Sequence, residues 1–167
     1  MGATVVALRL ARERRAIIAH VGDSRAYRFR SGELEQLTGD HSFVAEQVRH
    51  GLLSEREAGE SNLQNVLLRA LGAEPAVQVD VSEELVMNDD AILLCSDGLT
   101  REVSDAAIAA VLGNAEDARE AADQLIDLAN QAGGGDNITV IVIRNAAKPA
   151  RAFARIGRWF RGSKATS

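Results

Sequence analysis

Two short apolar runs, each joined to a tight aspartate turn, constrain this chain most: Ala91-Ile92-Leu93-Leu94-Cys95 before Ser96-Asp97-Gly98, and Ile138-Thr139-Val140-Ile141-Val142-Ile143 after Gly135-Asp136-Asn137. A run that is apolar at nearly every position, far too short to span a membrane and bounded by Gly and Asp, reads as a strand buried on both faces. Another apolar run, Ala16 to Val21, leads into Gly22-Asp23-Ser24. Asp23, Asp97 and Asp136 therefore all sit where a strand meets a small-residue turn. Folding could gather at one rim three carboxylates that lie far apart in sequence. Hard divalent cations such as Mg²⁺ or Mn²⁺ prefer such oxygen-rich sites. Asp and Gly also mark ordinary turns, because Asp tolerates the left-handed region and bonds its own backbone. That reading covers any one of the sites more easily than all three.

The rest of the chain divides into a strand-rich start, a polar middle and a helical end. Thr4 to Leu10 and Ala16 to Val21 are joined by the charged turn Arg12-Glu13-Arg14-Arg15, which predicts a hairpin. Ala26 to Arg30 alternates apolar and basic residues, and Ser31-Gly32-Glu33 turns it into Leu34 to Leu37; together they read as a β-meander with one wet face. Ser42 is placed to cap a helix ending at Gly51, and Ser54-Glu55-Arg56-Glu57 matches a capping box. Val77 to Val81 and Leu85-Val86-Met87 regain strand character. Ser104 caps a predicted helix burying Ile108, Val111 and Leu112. Glu116 to Ala132 sets Ala118, Ala121, Ala122, Leu125, Ile126 and Ala129 on one face until Gly133-Gly134-Gly135 stop it.

With 167 residues, 46% of them hydrophobic and 26% charged, the chain has room for one domain with a real core. Aromatic residues make up 4% and the net charge is −5, so stacking platforms are few and polyanions are repelled, which argues against nucleic acid. The single Cys95 cannot form an internal disulfide; within its apolar run it reads as a small buried hydrophobe rather than a reactive thiol. That usage, with no membrane-length apolar stretch and no signal-peptide pattern, makes a cytoplasmic location the expectation.

The charge is unevenly spread. From Arg144 onward the chain carries Arg144, Lys148, Arg151, Arg155, Arg158, Arg161 and Lys164 and no acid. The reading is a domain over 1–145 and a separate basic tail over 146–167. In the tail, Phe153, Ile156 and Phe160 have the spacing of an amphipathic helix, suited to an anionic membrane surface or an acidic partner. A plain linker or a disordered segment is the alternative.

Four segments occur in an order that resembles the bacterial type 2C protein phosphatases, the metal-dependent serine/threonine phosphatase family: His20-Val21-Gly22-Asp23-Ser24-Arg25-Ala26-Tyr27, Leu37-Thr38-Gly39-Asp40-His41-Ser42, Leu94-Cys95-Ser96-Asp97-Gly98-Leu99-Thr100 and Gly134-Gly135-Asp136-Asn137-Ile138-Thr139-Val140. The resemblance implies an α+β fold, an antiparallel β-sandwich flanked by helices in αββα layers. It implies two Mg²⁺ or Mn²⁺ ions in the complete domain, with a third in some cases. Asp97 and Asp136 match ligands of the catalytic pair, and Asp23 matches a ligand of an additional ion shared with Asp97. Asn137, Ser96 and Gly98 match neighbours that support the carboxylates, and Thr38 to about Asn62 matches the flap over the substrate. The implied activity is hydrolysis of phosphoserine and phosphothreonine in proteins by a metal-activated water, opposing a kinase. No protein nucleophile is needed, in keeping with the lack of a convincing Ser-His-Asp or Cys-His arrangement. His41 reads as a turn histidine bonding backbone, and His20 as a satisfied core histidine.

Two departures from the family pattern shape the expectations. The family carries an N-terminal segment with a phosphate-holding arginine and an Asp-Gly motif whose aspartate bridges the two metals, and Met1-Gly2-Ala3-Thr4 resembles the point just after it. The expected chain is thus N-terminally incomplete, feebly active or inactive alone, with a sheet edge or core face uncovered. A catalytically inactive relative that binds phosphoproteins or a partner is the alternative. The second departure is Arg101, where relatives usually carry an acid. It could oppose a cation, hold a substrate phosphate bidentately, or be an ordinary surface residue.

Overall fold

The computed structural model describes residues 2–144, so the basic tail and its amphipathic reading lie outside the described residues. The first hairpin forms as expected. Strand β1 (Val5–Leu10) pairs antiparallel with β2 (Arg15–Val21), and Glu13 and Arg14 adopt φ of 60° and 61°. Two successive positive φ values give the turn a twist that matches the paired strands.

The expected meander does not continue from this hairpin. β3 (Arg25–Arg30) and β4 (Glu33–Gln36) belong to a second sheet with β6 (Ala91–Cys95) and β7 (Val140–Arg144), ordered β4-β3-β6-β7, while β1 and β2 join β5 (Asp80–Leu85) in the order β1-β2-β5. The chain changes sheets at Val21-Gly22-Asp23-Ser24, where Gly22 has φ +107. A Cβ there would lie 2.3 Å from Thr4 Cγ2, so both the conformation and the contact require glycine. The two regions of strand character around residues 77–87 resolve into one strand, β5 (Asp80–Leu85).

β6 (Ala91–Cys95) is buried at every position because it has layers on both sides. Ala91, Leu93 and Cys95 face the helices α4 (Asp105–Asn114) and α5 (Ala118–Ala132), packing with Ile108, Leu112, Leu125 and Ala129. Ile92 and Leu94 face the other sheet, meeting Ile18, Val6 and Leu8. β7 (Val140–Arg144) departs from the expectation of burial on both faces. It lies at the sheet edge, with Val140 and Val142 against the helix-side core and Ile143 in the inter-sheet core, while Ile141 is 52% exposed.

The architecture is therefore the α+β sandwich of two antiparallel sheets with helices, and α4 and α5 supply the helical layer on the four-stranded sheet. The outer face of β1-β2-β5 leaves Val81 and Leu85 exposed. Two short helices, α1 (Phe43–Arg49) and α2 (Glu55–Gly59), pack on each other in the polar middle; Ser42 and Ser54 cap them, the latter through the expected capping box. Among the described residues no helix is long and apolar enough to cross a membrane.

Candidate functional site

The Gly22 corner carries the first aspartate. His41 N donates to Gly22 O at 3.0 Å, Gly22 N donates to His41 Nδ1 at 3.2 Å, and the Thr4 and Ser24 hydroxyls meet at 2.9 Å. The clasp fixes where Asp23 leaves the backbone. Burial, and then the nearby charge of Asp97, push the Asp23 carboxyl above its usual range.

The other two aspartates are brought together by main-chain contacts. Asp97 opens the short helix α3 (Asp97–Thr100), directly after β6. Ser96 N donates to Thr139 O at 3.1 Å, Ser96 Oγ donates to Asn137 O at 3.0 Å, and Thr139 N donates to Ser96 Oγ at 3.0 Å. Gly98 lets the two loops close: a Cβ there would lie 2.5 Å from Asn137 O. Asn137 acts here through its backbone, its amide donating to Asp136 Oδ1 at 2.7 Å and its carbonyl accepting from Ser96. The Ser96, Gly98 and Asn137 positions thus set the spacing of Asp97 and Asp136.

Arg101 joins the cluster from an exposed position. At the C-terminal end of α3, its guanidinium pairs with Asp97 Oδ2 through one arm, and the other arm lies 3.6 Å from Asp136 Oδ2. A cleft of about 620 Å³ opens beside the group. Asp23, Asp97 and Arg101 line one part of it, and Val44, Val48 and Ala58 of the capped helices line another. The segment expected to form a flap therefore lines the same cleft as Asp23 and Asp97.

Sequence reasoning missed two polar groups nearby. Arg25 grips Asp40 with Nε at 2.9 Å and Nη2 at 2.7 Å, and also donates to the Tyr27 hydroxyl at 3.0 Å. The turn Thr38-Gly39-Asp40 is thereby tied to β3, a pairing that neither residue's neighbours announce. The second group is His20, His41 and Asp80, whose candidate ligand atoms lie within 4.8 Å of one another. The rings stack at 4.6 Å, His20 Nε2 meets Gly39 O at 2.9 Å, and Arg69 Nη1 donates to Asp80 at 2.6 Å. Because His41 Nδ1 accepts from Gly22, its proton is on Nε2, which faces Asp80 at 3.3 Å. These atoms are already engaged in holding the corner, as a turn and a core histidine would be. Burial pushes the Cys95 thiol up to about 12, which makes it an inert core group.

The family model for protein phosphatase 2C matches residues 1–136, a span that includes all three aspartates. The chain belongs to the protein phosphatase 2C family. Among its type 2C relatives, the serine/threonine phosphatase stp of Listeria welshimeri is 43% identical over 152 residues, covering 90% of this chain and 60% of the relative. The crystal structure of the serine/threonine phosphatase PstP/Ppp of Mycobacterium tuberculosis superposes with a TM-score of 0.82 at 37% identity, covering 88% of this chain and 61% of that one. The catalytic domain of PstP in complex with two manganese ions gives a TM-score of 0.72 at 40% identity, over 85% and 58% of the respective chains. This type 2C chain thus spans 60% of the length of the Listeria relative.

Proposed function

We propose that the protein acts as a metal-dependent serine/threonine protein phosphatase, hydrolysing phosphoserine and phosphothreonine in proteins and so opposing a kinase. The observation that carries the reading is the convergence of Asp23, Asp97 and Asp136 at one end of the sandwich, beside an open cleft. The donor set fits Mg²⁺ or Mn²⁺: every side-chain donor is a carboxylate oxygen, and burial first, then the charge of Asp97, raise the Asp23 carboxyl, both of which a bound cation would offset. Asp97 and Asp136 would hold the catalytic ions, and Asp23 with Asp97 an additional one. Bound there, such ions supply Lewis acidity and an activated water for in-line attack on a phosphoryl group. The protein's own part is to orient the carboxylates: Ser96 and the Asn137 backbone fix their spacing, Gly98 allows the close approach, and the His41 clasp fixes Asp23. Val44, Val48 and Ala58 offer an apolar wall to the peptide that carries the phosphate.

Release of phosphate from a phosphothreonine peptide, measured with and without Mn²⁺, tests the proposal. The expected result is weak Mn²⁺-dependent hydrolysis, in keeping with a chain that spans 60% of its Listeria relative, that EDTA abolishes and that Asp97→Asn and Asp136→Asn each lower at least about a hundredfold. Metal-independent hydrolysis would overturn it. The pairing of Arg101 with Asp97 and Asp136 favours a second reading, a catalytically silent relative that binds phosphoproteins. Phosphopeptide binding without turnover at saturating Mn²⁺ would establish that alternative.

A further inference from the structure

We infer that Arg101 is a tethered cation that holds the carboxylate site in its metal-free form and competes with divalent ions for the same oxygens. The inference rests on the metal-site reading proposed above. Its basis is the geometry of one side chain against two carboxylates.

Arg101 lies four residues after Asp97 on the same short helical segment, and its backbone amide donates to the Asp97 carbonyl at 3.0 Å. The side chain therefore starts from a fixed point and turns back over its own helix. Its guanidinium then reaches the Oδ2 atoms of both Asp97 and Asp136, which approach the site from different loops. A planar fork can bridge two carboxylates in this way; a lysine ammonium is a single point charge and would favour one of them. The Arg101 charge also opposes the upward push on the Asp23 carboxyl, so it acts on all three aspartates.

A divalent ion bound by Asp97 and Asp136 would lie against the same two carboxylates that the guanidinium faces. Two like charges at contact distance repel strongly where solvent is partly excluded, so ion and guanidinium exclude one another from that position. Arg101 is about one-third exposed, with an open cleft alongside, so it has somewhere to go without breaking a buried contact. Metal loading is then an exchange in which the ion displaces the guanidinium from the carboxylates. Without metal, Arg101 neutralises the mutual repulsion of the aspartates. With it, the same residue sets a higher threshold concentration for loading.

The test compares the parent chain with Arg101→Gln and Arg101→Lys by calorimetric titration with MnCl₂ and by thermal melting in EDTA. Arg101→Gln should bind Mn²⁺ about tenfold more tightly, a coupling of ordinary size between two sites, and should melt at a lower temperature than the parent when metal-free. Arg101→Lys keeps the charge and loses the fork, so its Mn²⁺ affinity should fall between the two. If the parent and Arg101→Gln bind Mn²⁺ equally, competition is overturned while the metal site stands. If Arg101→Gln melts no lower in EDTA, its role in holding the metal-free site is overturned. If none of the three proteins binds Mn²⁺ at millimolar concentration, the metal-site reading fails, and the inference falls with it.

Discussion

His41 shows how a residue outside the carboxylate cluster controls it. It is 1% exposed, accepts from the Gly22 amide and faces Asp80, and burial holds its pKa below the ordinary value of 6.5. The folded chain therefore favours the neutral ring, while the unfolded chain takes up a proton near 6.5. The stability this provides is fully present above the unfolded value and is lost as pH falls through the lower folded value. The melting temperature should drop on acidification from about pH 7 to pH 5, and His41→Asn, whose side-chain oxygen can accept from Gly22 without titrating, should flatten that slope. An equal slope in the variant would remove His41 as the sensor. Gly98 is the other decisive single residue. Gly98→Ala places a methyl 2.5 Å from Asn137 O, so the loops must separate. The expected result is a loss of about 1–3 kcal/mol in urea unfolding, as for other overpacked sites, with weaker Mn²⁺ binding by calorimetry. The sequence pointed to both residues, His41 as bonding backbone and Gly98 as supporting the carboxylates, but not to the partners that define their roles. A glycine after Ser-Asp announces a turn, but the carbonyl it must clear belongs to a loop far along the chain.

The secondary-structure elements were more legible. Apolar runs gave β1, β2 and β6, and an alternating one gave β3, to within a residue or so, because each has local signals at both ends: Arg-rich or Gly-containing turns and a change of polarity. Caps at Ser42, Ser54 and Ser104 were readable for the same reason. β7 was misread because an apolar run reports what a strand contains and not how many strands flank it. β5 was split because its polar residues, Ser82, Glu83 and Glu84, hide a strand defined by pairing to β2. α3 was missed because four residues are too few to establish a helical period. The strongest element is α5, whose Ala121, Leu125 and Ala129 are fully buried and whose first turn is capped by Asp117 accepting from Glu120 N. Leu125→Ala should cost about 2–5 kcal/mol, as a core cavity does. Asp117→Ala should cost about 1 kcal/mol. Chemical denaturation of both variants checks the ranking, and a capping loss as large as the core loss would contradict the packing described.

At the scale of the molecule, the outer face of β1-β2-β5 is one exposed surface with apolar side chains among the described residues, interspersed with Arg9, Arg15 and Glu83. Val5, Ala7, Ile17, Ala19, Val81 and Leu85 share that face by register, and Val81 and Leu85 are 65% and 51% exposed. A patch of this kind favours association with any apolar partner, another copy of the chain included. The chain should therefore self-associate as concentration rises, and Val81→Lys with Leu85→Lys should return it to a monomer in sedimentation velocity. A double variant that associates as readily as the parent would locate the contact elsewhere. The composition of the carboxylate group was legible in the sequence, since three aspartates at strand ends have few other reasons to share a neighbour pattern. Its internal balance was not, because Arg101 joins two carboxylates only after β6 and β7 pair.

That pairing also makes residues 96–139 a closed excursion. The Ser96 hydroxyl stitches its two ends together, with α3, α4 and α5 hung between them. The rim is thus insulated from the far end of its own loop. Between Glu116 and Asp117, both exposed and just past the buried Ala115, an inserted peptide would lengthen the path without moving the knot, at the logarithmic cost of a longer loop. That connection is where a reporter domain or an affinity handle can be spliced into this chain with the carboxylates left in register.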